Sequence, residues 1–498
     1  MSLRVYNTLT KNKDLFEPLA PGKVGVYLCG PTVYKPSHIG HAVGPIIFDS
    51  IKRYLQHKGY DVTFVINITD VDDKLIAESA AQGRPMGELA AELEASYKES
   101  LLRLGVRGVD HFPRATEHIG EIIDLVQRLI DQGAAYEVEG DVYFDHTQAV
   151  GYGRLSGRSV EESLAGTRQV ASTSRHPADF ALWKASKPGE PAWDSPWGPG
   201  RPGWHIECSA MSMSLLGETF DIHGGGIDLV FPHHENEIAQ SETATGKPFA
   251  RFWMHNGLTR VKTKAAGGEL HDEKMSKSLG NIREIAPLLD AFSGETIRAF
   301  VLSTQYRRPL DFSEEQLDNT ARSLETFYRL FDRVRRATGQ DPYGDGKPLE
   351  RSYDQAASDA DQAMVKEVLQ HRLRFYESMD DDFNTAGAIA SLHAMAGCIN
   401  RYLDQAAVES DPTDQAKNLA AAAATTLVST GRILGLFEQP PPADTAGVDA
   451  AEVEALIARR NAARKAKDFA DADAIRDQLA GMGVAIEDTP GGTVWRKA

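Results

Sequence analysis

The chain has 498 residues, of which 42% are hydrophobic and 25% charged, and its formal net charge is −17 at pH 7. A chain of this length is too long for one hydrophobic core, so we expect three or four domains. The negative charge argues only weakly against nucleic-acid binding, because such binding needs no more than a local basic surface. The sequence has no apolar run near the roughly 20 residues that span a bilayer, and it begins without the apolar core of a signal peptide. We therefore expect a cytoplasmic protein without membrane contact.

Three cysteines occur, at Cys29, Cys208 and Cys398. Their odd number and wide spacing argue against a disulfide framework. Reduced thiols are therefore available to bind a metal, although Cys29 and Cys208 could equally be apolar buried side chains.

The first strong pattern is a strand, a helix and a second strand near the amino end. Lys23–Leu28 is short, apolar and partly β-branched, and apolar residues then recur at helical spacing from Ile47 to Leu55. Gly59 is predicted to end the helix, and Asp61–Asn67 is the second predicted strand. Such units build parallel sheets, which bind ligands at the turn after a strand.

Two histidines lie in that turn. His38 and His41 are three residues apart where the helix should begin, which would place both imidazoles on one face beside free backbone N–H groups. Gly40 between them has no side chain, so a nucleotide could approach the backbone closely. The corner would suit an anionic phosphate, although two histidines near a helix start are more often ordinary surface or core residues.

A second motif lies far downstream and indicates a functional role for the two histidines. His38-Ile39-Gly40-His41 together with Lys274-Met275-Ser276-Lys277-Ser278 resembles the paired HIGH and KMSKS elements of class I aminoacyl-tRNA synthetases. Further segments resemble the cysteinyl-tRNA synthetase family within that class, namely residues 29–34, 203–209, 223–228, 232–237 and 379–384. The resemblance extends from about residue 3 to the carboxyl terminus.

The resemblance implies an α/β fold class, with a Rossmann-like catalytic domain whose parallel sheet is split by a connective insertion, then a helical bundle and a small C-terminal module. Helical spacing after Glu314 and the prolines near residue 440 agree with this order. The predicted boundaries are 1–110 and 201–255 for the two halves of the catalytic domain, 111–200 for the insertion, 256–313 for the connecting domain with the KMSKS motif, 314–438 for the tRNA-binding bundle, 439–448 for a linker and 449–498 for the anticodon-binding module.

Candidate metal ligands follow from residue type and spacing. His233 and Glu237 are four residues apart and would face one direction on a helix. Together with Cys29 and Cys208 they offer two sulfurs, one nitrogen and one oxygen, which suit tetrahedral zinc better than magnesium or calcium. Spacing alone leaves His234 an equally good candidate. The resemblance selects Cys29, Cys208, His233 and Glu237 and implies one zinc ion per chain.

The acidic turn after the second predicted strand has two interpretations. Asp70, Asp72 and Asp73 could bind a metal ion, or they could cap the following helix. Capping is the commoner role of such a turn.

The remaining site residues come from the resemblance. It implies that cysteine is held by Gly30, Thr69, Trp204 and Asp228, although Trp204 could instead be a core aromatic residue. It assigns catalysis to His38, His41, Lys274 and Lys277, and ATP binding to His38, Gly40, His41 and Lys277. Two lysines on a loop could neutralise charge as pyrophosphate departs. The segment 262–272 before them is longer than the family pattern, with a predicted hairpin tip at Gly267-Gly268.

The implied function is ATP-dependent attachment of cysteine to its cognate tRNA through a cysteinyl-adenylate intermediate, giving AMP and pyrophosphate, with zinc selecting the substrate thiol. The expected partners are ATP with Mg²⁺, L-cysteine and cysteine tRNA, and the expected state is a monomer.

One alternative is a ligase that passes activated cysteine to an amino sugar, but it would not need residues 314–498. Another is a non-catalytic RNA-binding relative, which would have no use for both motifs and four metal ligands.

Overall fold

The computed structural model describes residues 2–159, 173–264, 270–274, 283–350, 358–441, 449–489 and 492–497. The chain forms two compact units. The first unit comprises residues 1–322, 374–390 and 433–436, and the second comprises 323–373, 391–432 and 437–498. Among the helices in the described ranges, none is both long enough and apolar enough to cross a membrane.

Strands and helices alternate in the first part of the chain. In order they are β1 (Arg4–Asn7), β2 (Asn12–Leu15), β3 (Lys23–Leu28), α1 (Ile39–His57), β4 (Asp61–Ile66), α2 (Asp73–Gln82), α3 (Met86–Arg103), α4 (Ile119–Asp131), β5 (Ala135–Val138), β6 (Asp141–Phe144), β7 (Phe180–Ala185), β8 (Gly200–Pro202), α5 (Trp204–Leu216), β9 (Phe220–Gly226), α6 (Glu235–Thr245), β10 (Ala250–Asn256), β11 (Thr259–Lys264), β12 (Leu270–Lys274), α7 (Ile285–Ala291), α8 (Gly294–Leu302) and β13 (Leu310–Phe312).

Helices dominate the rest. They are α9 (Glu314–Thr338), α10 (Asp359–Asp380), α11 (Thr385–Gln405), α12 (Asp414–Arg432), α13 (Ala450–Lys465) and α14 (Phe469–Gly481), and the hairpin strands β14 (Val484–Thr489) and β15 (Gly492–Lys497) follow.

A four-stranded parallel sheet forms the centre of the first unit, in the spatial order β10-β9-β3-β4. Its strands are buried along most of their length, as expected when helices cover both faces of a parallel sheet. The predicted strand-helix-strand unit is confirmed, with α1 between β3 and β4. Gly59 follows the end of α1 at a φ of +93°, which is the left-handed conformation expected after a helix.

An antiparallel sheet, β5-β6-β7-β8, interrupts the parallel one in sequence. Its inner face packs against α4, with Ile122 and Leu129 contacting the same core as Phe144, Leu182 and Trp183. This sheet is the observed form of the predicted insertion. The sequence predicts a hairpin over residues 136–144 around Glu139-Gly140-Asp141, and the antiparallel pairing of β5 with β6 confirms it.

The sequence predicts one further strand over His255–Arg260, but the structure divides this segment, because β10 ends at Asn256 and β11 starts at Thr259. Gly257 between them donates its N–H to the Tyr306 carbonyl at 2.8 Å, and a Cβ at Gly257 would lie 2.2 Å from the carbonyl oxygen of Arg308. The close approach of backbone that is distant in sequence therefore interrupts the predicted strand.

The second unit contains the packed faces of the long helices and the terminal module. In the bundle, the Phe437 ring lies 4.9 Å from Phe327 and 5.3 Å from Phe331, measured between centroids. The module has a core of its own, made by α13, α14 and β14 and formed by Val453, Leu456, Ile457, Ile475, Leu479 and Val484. The predicted fold class, with helices and a small module after the parallel sheet, is confirmed.

One buried arginine joins distant segments of the first unit. Arg298 of α8 donates to Asp49 of α1 at 2.5 Å, to the Ser50 hydroxyl at 2.9 Å and to the Leu434 carbonyl at 2.6 Å. Asp49 also accepts from Arg53 at 2.8 Å. Burial raises the pKa of Asp49, but the two guanidinium groups outweigh burial and hold this pKa below its ordinary value.

Arg298→Met should leave a buried carboxylate short of a partner and destabilise the first unit by about 3–5 kcal/mol. The measurement is thermal unfolding, with Arg103→Met as the matched control. Arg103 pairs with Asp290, and their side chains are 40% and 74% exposed, so this change should cost less than about 1 kcal/mol. Equal losses of stability in the two variants would contradict the assignment of Arg298 as the essential partner of Asp49.

The same contact makes stability depend on pH. Because the pKa of Asp49 is lowered in the folded protein, its contribution to the free energy of unfolding is present above the unfolded pKa and is lost as pH falls through the folded pKa.

Candidate active site

The loop after β3 lies at the carboxyl edge of the parallel sheet. Cys29 donates its N–H to the Gly224 carbonyl of β9 at 3.0 Å, and Gly30 donates its N–H to Asn67 Oδ1 at 2.8 Å. A Cβ at Gly30 would lie 1.8 Å from the Asn67 carbonyl oxygen. Only glycine lets the loop pass this close to the end of β4.

The two histidines of the first motif lie where α1 begins. Their rings stack with centroids 3.7 Å apart and an interplanar angle of 28°. His38 is the residue before the helix and His41 lies in its first turn, so the predicted common face is confirmed. The N–H groups of Ile39 and His41 donate to the carbonyls of Arg283 and His38 at 2.9 and 2.8 Å. The two rings, at the positive end of the helix dipole, are suited to phosphate oxygens.

A cleft of about 390 Å³ opens at this edge of the sheet. Seven of the predicted site residues line it, namely Cys29, Gly30, His38, Gly40, His41, Trp204 and Asp228. Three elements distant in sequence therefore contribute to one cavity: the β3–α1 loop, the start of α5 and the segment after β9.

Trp204 and Thr69 take different positions near this cleft. Trp204 is 40% exposed and stacks on His233 with centroids 4.4 Å apart, so it is not a core aromatic residue. Thr69 is buried, and its hydroxyl donates to Glu207 at 3.1 Å. Burial raises the pKa of Glu207 well above its usual range.

The four predicted metal ligands come together behind the cleft. The sulfur of Cys29 lies 3.9 Å from that of Cys208 and 3.6 Å from Glu237 Oε1, and His233 Nε2 lies 3.1 Å from the same oxygen. One ligand atom from each residue falls within 4.8 Å of the others. The set draws on the end of β3, on α5 and on the start of α6.

A second set of four residues is also compatible with a metal ion. It consists of Cys29, His223, His234 and Glu237, whose candidate ligand atoms again lie within 4.8 Å of one another. His234 Nε2 lies 3.3 Å from the Cys29 sulfur, and His223 Nε2 lies 2.8 Å from Glu237 Oε2. The question that spacing left open between His233 and His234 is therefore not answered by proximity alone.

The donor chemistry of the cluster suits a metal ion. Burial raises the pKa of Cys29 well above its usual range, and it raises that of Cys208 despite the lowering effect of the Cys29 contact. Burial also lowers the pKa of His233 and His234 well below the usual value. Neutral imidazoles keep a free lone pair for a cation, and a bound cation would displace the thiol protons.

A buried carboxylate fixes the start of α6. Glu235 is 1% exposed and accepts the backbone N–H groups of Gly153 at 2.9 Å and Ser156 at 2.8 Å. Glu235 lies between His233 and Glu237 in sequence. The loop of the insertion that contains Gly153 and Ser156 therefore holds the turn on which both residues lie. No spacing signal in the sequence indicates this contact.

The acidic turn after β4 takes the capping role. Asp72 accepts from the backbone of Lys74 at 2.6 Å and caps α2. Asp70 accepts from the Thr116 N–H at 3.0 Å, and Asp73 pairs with cationic side chains of the insertion. In the described part of the chain, no candidate metal cluster includes any of the three.

The lysine motif is described only in part. The predicted hairpin before it is confirmed, since β11 pairs antiparallel with β12 and Lys274 ends β12 opposite Arg260. Lys277 and the Gly267-Gly268 tip lie outside the described residues. The roles assigned to both lysines remain predictions.

Sequence reasoning missed the groups around the metal ligands. His205 Nδ1 lies 2.8 Å from His233 Nδ1, and His255 Nε2 lies 2.7 Å from His234 Nδ1. His223, already described beside Glu237, completes this layer. These residues lie on three separate elements, so no short spacing could have revealed them.

The sequence matches three protein-family models. Residues 15–322 match the catalytic domain of class I (C) tRNA synthetases, residues 374–438 the DALR domain, and residues 450–496 the cysteinyl-tRNA ligase anticodon-binding domain. The cysteine–tRNA ligases of Geobacter sulfurreducens and Syntrophotalea carbinolica are 46% and 48% identical to it over 507 residues, with complete coverage of both chains. The chain belongs to the cysteine–tRNA ligase family.

This membership confirms the predicted family and the predicted kind of enzyme, a cysteine–tRNA ligase. Among solved structures, a methionyl-tRNA synthetase of Mycobacterium tuberculosis, in complex with methionyl-adenylate, aligns with a TM-score of 0.61 and 19% identity, covering 85% of this chain and 92% of that one. A putative arginyl-tRNA synthetase of Campylobacter jejuni aligns with a TM-score of 0.56 and 12% identity, covering 84% and 94%. At these identities the likeness concerns the fold alone.

The ligand cluster gives a direct prediction for metal content. After dialysis against a weak chelator, the wild-type chain should retain about one zinc ion, and Cys208→Ser should lose most of it because a soft sulfur ligand is gone. Atomic absorption measures both. The matched control is Cys398→Ser, whose thiol donates to Glu367 at 3.0 Å in the second unit. Full occupancy in the Cys208 variant would contradict the four-ligand set.

Proposed function

We propose that the chain attaches cysteine to its tRNA in two steps, through a cysteinyl-adenylate, and that zinc held by Cys29, Cys208, His233 and Glu237 selects the substrate thiol. The position of Cys29 carries the proposal. This residue lines the cleft beside Gly30 and also belongs to the metal cluster. A substrate lying in the cleft could therefore reach both the ion and the histidine motif.

Metal selection answers a chemical problem. Cysteine has a sulfur atom where serine has an oxygen atom. A cavity that discriminates by size alone would favour one over the other by only about 1–3 kcal/mol of binding free energy. When bound, zinc supplies a soft Lewis acid that prefers a thiolate over a hydroxyl. The first set of ligands is favoured over the set with His223 and His234 because only the first contributes two sulfurs.

The choice of His233 also has structural support. His205 contacts its Nδ1, which leaves Nε2 directed toward Glu237, and Trp204 stacks on its ring. An imidazole held at its second nitrogen is a well-oriented metal ligand. Trp204, Gly30 and Asp228 then form the wall against which the amino acid lies, and Thr69 supports it from behind.

In the first step, a carboxylate oxygen of cysteine attacks the α-phosphorus of ATP, and the bond to the bridging oxygen of the β-phosphate breaks. Pyrophosphate leaves with the electron pair of that bond, accompanied by Mg²⁺. His38 and His41, with the first turn of α1, stabilise charge on the phosphates, and Gly40 admits the nucleotide. Lys274 and Lys277 neutralise the departing pyrophosphate.

In the second step, a ribose hydroxyl at the end of tRNA attacks the cysteinyl carbonyl, AMP leaves and the hydroxyl proton is released. No side chain of the enzyme forms a covalent bond in either step. We assign residues 314–438 to tRNA binding and 449–498 to the anticodon. This assignment follows the family models that match residues 374–438 and 450–496.

The first experiment measures incorporation of labelled cysteine into unfractionated tRNA by the zinc-loaded protein, with ATP and magnesium. Acid-precipitable label that requires ATP is the expected result. The control is labelled serine, which should give no label above background because the ion discriminates against oxygen.

A negative result would be resolved by cysteine-dependent exchange of pyrophosphate into ATP. Exchange without tRNA charging would favour a ligase for a small acceptor, and its absence would favour a non-catalytic binder. Either outcome would overturn the proposed function.

Deletion of residues 449–498 tests the role of the terminal module. Because this module has a core of its own, the deletion should leave pyrophosphate exchange near the wild-type rate while tRNA charging falls strongly. Exchange serves as the internal control for folding of the catalytic domain. An unchanged rate of tRNA charging would contradict the assignment of residues 449–498 to anticodon binding.

A further inference from the structure

Tyr27 lies on β3, two residues before Cys29, and the side chains of both residues belong to the same core. The Tyr27 side chain is fully buried, at 0% exposure. It packs in one core with Cys208 and Met211 of α5 and with Trp253 of β10. The phenol therefore lies in the layer between the parallel sheet and the helix that carries the second predicted sulfur ligand.

The hydroxyl of this phenol is a buried polar group without a hydrogen-bond partner among the described residues. Leaving such a group unsatisfied costs about 1–3 kcal/mol. The side chains of Cys208 and Cys29 pack in the same core as the phenol, and Glu237 lies beside both sulfurs. A phenol hydroxyl can donate a hydrogen bond to such a group.

The neighbouring groups differ as acceptors. Both oxygens of Glu237 are already engaged, Oε2 with His223 at 2.8 Å and Oε1 with His233 at 3.1 Å. A thiol sulfur is a weak acceptor, whereas a thiolate accepts a charge-assisted and much stronger bond. Of the two sulfurs, that of Cys208 belongs to the more deeply buried side chain, at 1% exposure, and this side chain packs in one core with Tyr27.

We infer that the Tyr27 hydroxyl donates a hydrogen bond to the Cys208 sulfur when that sulfur ligates the metal ion, which makes Tyr27 a positioning residue of the metal centre. The inference rests on the zinc centre proposed above and adds a group to it. Two thiolates and a carboxylate concentrate negative charge in a buried volume. A donor at one sulfur reduces the charge that this sulfur gives to the ion and leaves the ion more able to accept a further thiolate, that of the substrate.

Tyr27→Phe removes only the oxygen and tests the inference. Loss of a polar partner behind a metal ligand typically weakens metal binding by about 10–100-fold, and we expect a rise of that size in the zinc dissociation constant. In the cobalt-substituted protein, the sulfur-to-cobalt charge-transfer band should move to lower energy. In pyrophosphate exchange, KM for cysteine should rise while KM for ATP stays unchanged.

The matched control is Tyr402→Phe in the second unit. Tyr402 is a buried phenol whose hydroxyl donates to Asp361 at 2.7 Å, so the same atom is removed from the unit that contains none of the four proposed ligands. This variant should keep the wild-type zinc affinity and cobalt spectrum. A loss of zinc in both variants would mean that destabilisation, not the hydroxyl, is responsible, and would overturn the inference.

A second variant keeps the test decisive if Tyr27→Phe folds poorly. Site-specific 3,5-difluorotyrosine at position 27 retains the ring and makes the hydroxyl a stronger donor, so the cobalt band should move in the opposite direction. A cobalt spectrum identical to that of the wild type in both Tyr27 variants would overturn the inference alone. A wild-type protein that binds neither zinc nor cobalt would instead overturn the proposed metal centre.

Discussion

The position of Cys29 depends on how β3 ends. Parallel pairing brings the last residues of β3, β4 and β9 to one edge, and two hydrogen bonds then fix the following loop, from Cys29 to Gly224 and from Gly30 to Asn67. The loop lies so close to the end of β4 that a side chain at position 30 would overlap its backbone. The turn proposed to bind phosphate and one of the proposed sulfur ligands thereby lie at one cleft, and the other parts of the site are arranged around them.

The cluster behind the cleft places ionisable groups where they are costly to bury. Apart from Cys29, the side chains of the two candidate ligand sets are 0–1% exposed. Burial raises the pKa of the Cys29 thiol and lowers the pKa of the His233 imidazole. Hydrogen bonds between the histidines satisfy some of these buried polar atoms, and a bound divalent cation would satisfy more of them. Such a site resists relaxation, because the four proposed ligands come from three separate segments and each segment is held by its own contacts, as Glu235 shows for the start of α6.

Much of this was accessible from the sequence. The β3–α1–β4 unit and the hairpins were predicted because each leaves a local pattern, such as period-two or helical spacing or a glycine at a helix end. The family was predicted from the resemblance of its motifs, and the same resemblance selected the four ligands, which remain a prediction. The failures have a common cause. The strand predicted across Gly257 is divided by the backbone of Arg308, and the groups that surround His233 come from other elements, so neither is written in the neighbouring sequence.

The sequence by itself determined the fold class, the family and the residue types able to bind phosphate and a soft metal, because these depend on local spacing and side-chain chemistry. Only the tertiary structure decided that Trp204 faces the cleft and that Glu235 and Tyr27 stand behind the proposed ligands. Those roles arise from contacts between segments up to about two hundred residues apart. Their geometry is set by how the sheet and helices pack, which no single stretch of chain encodes.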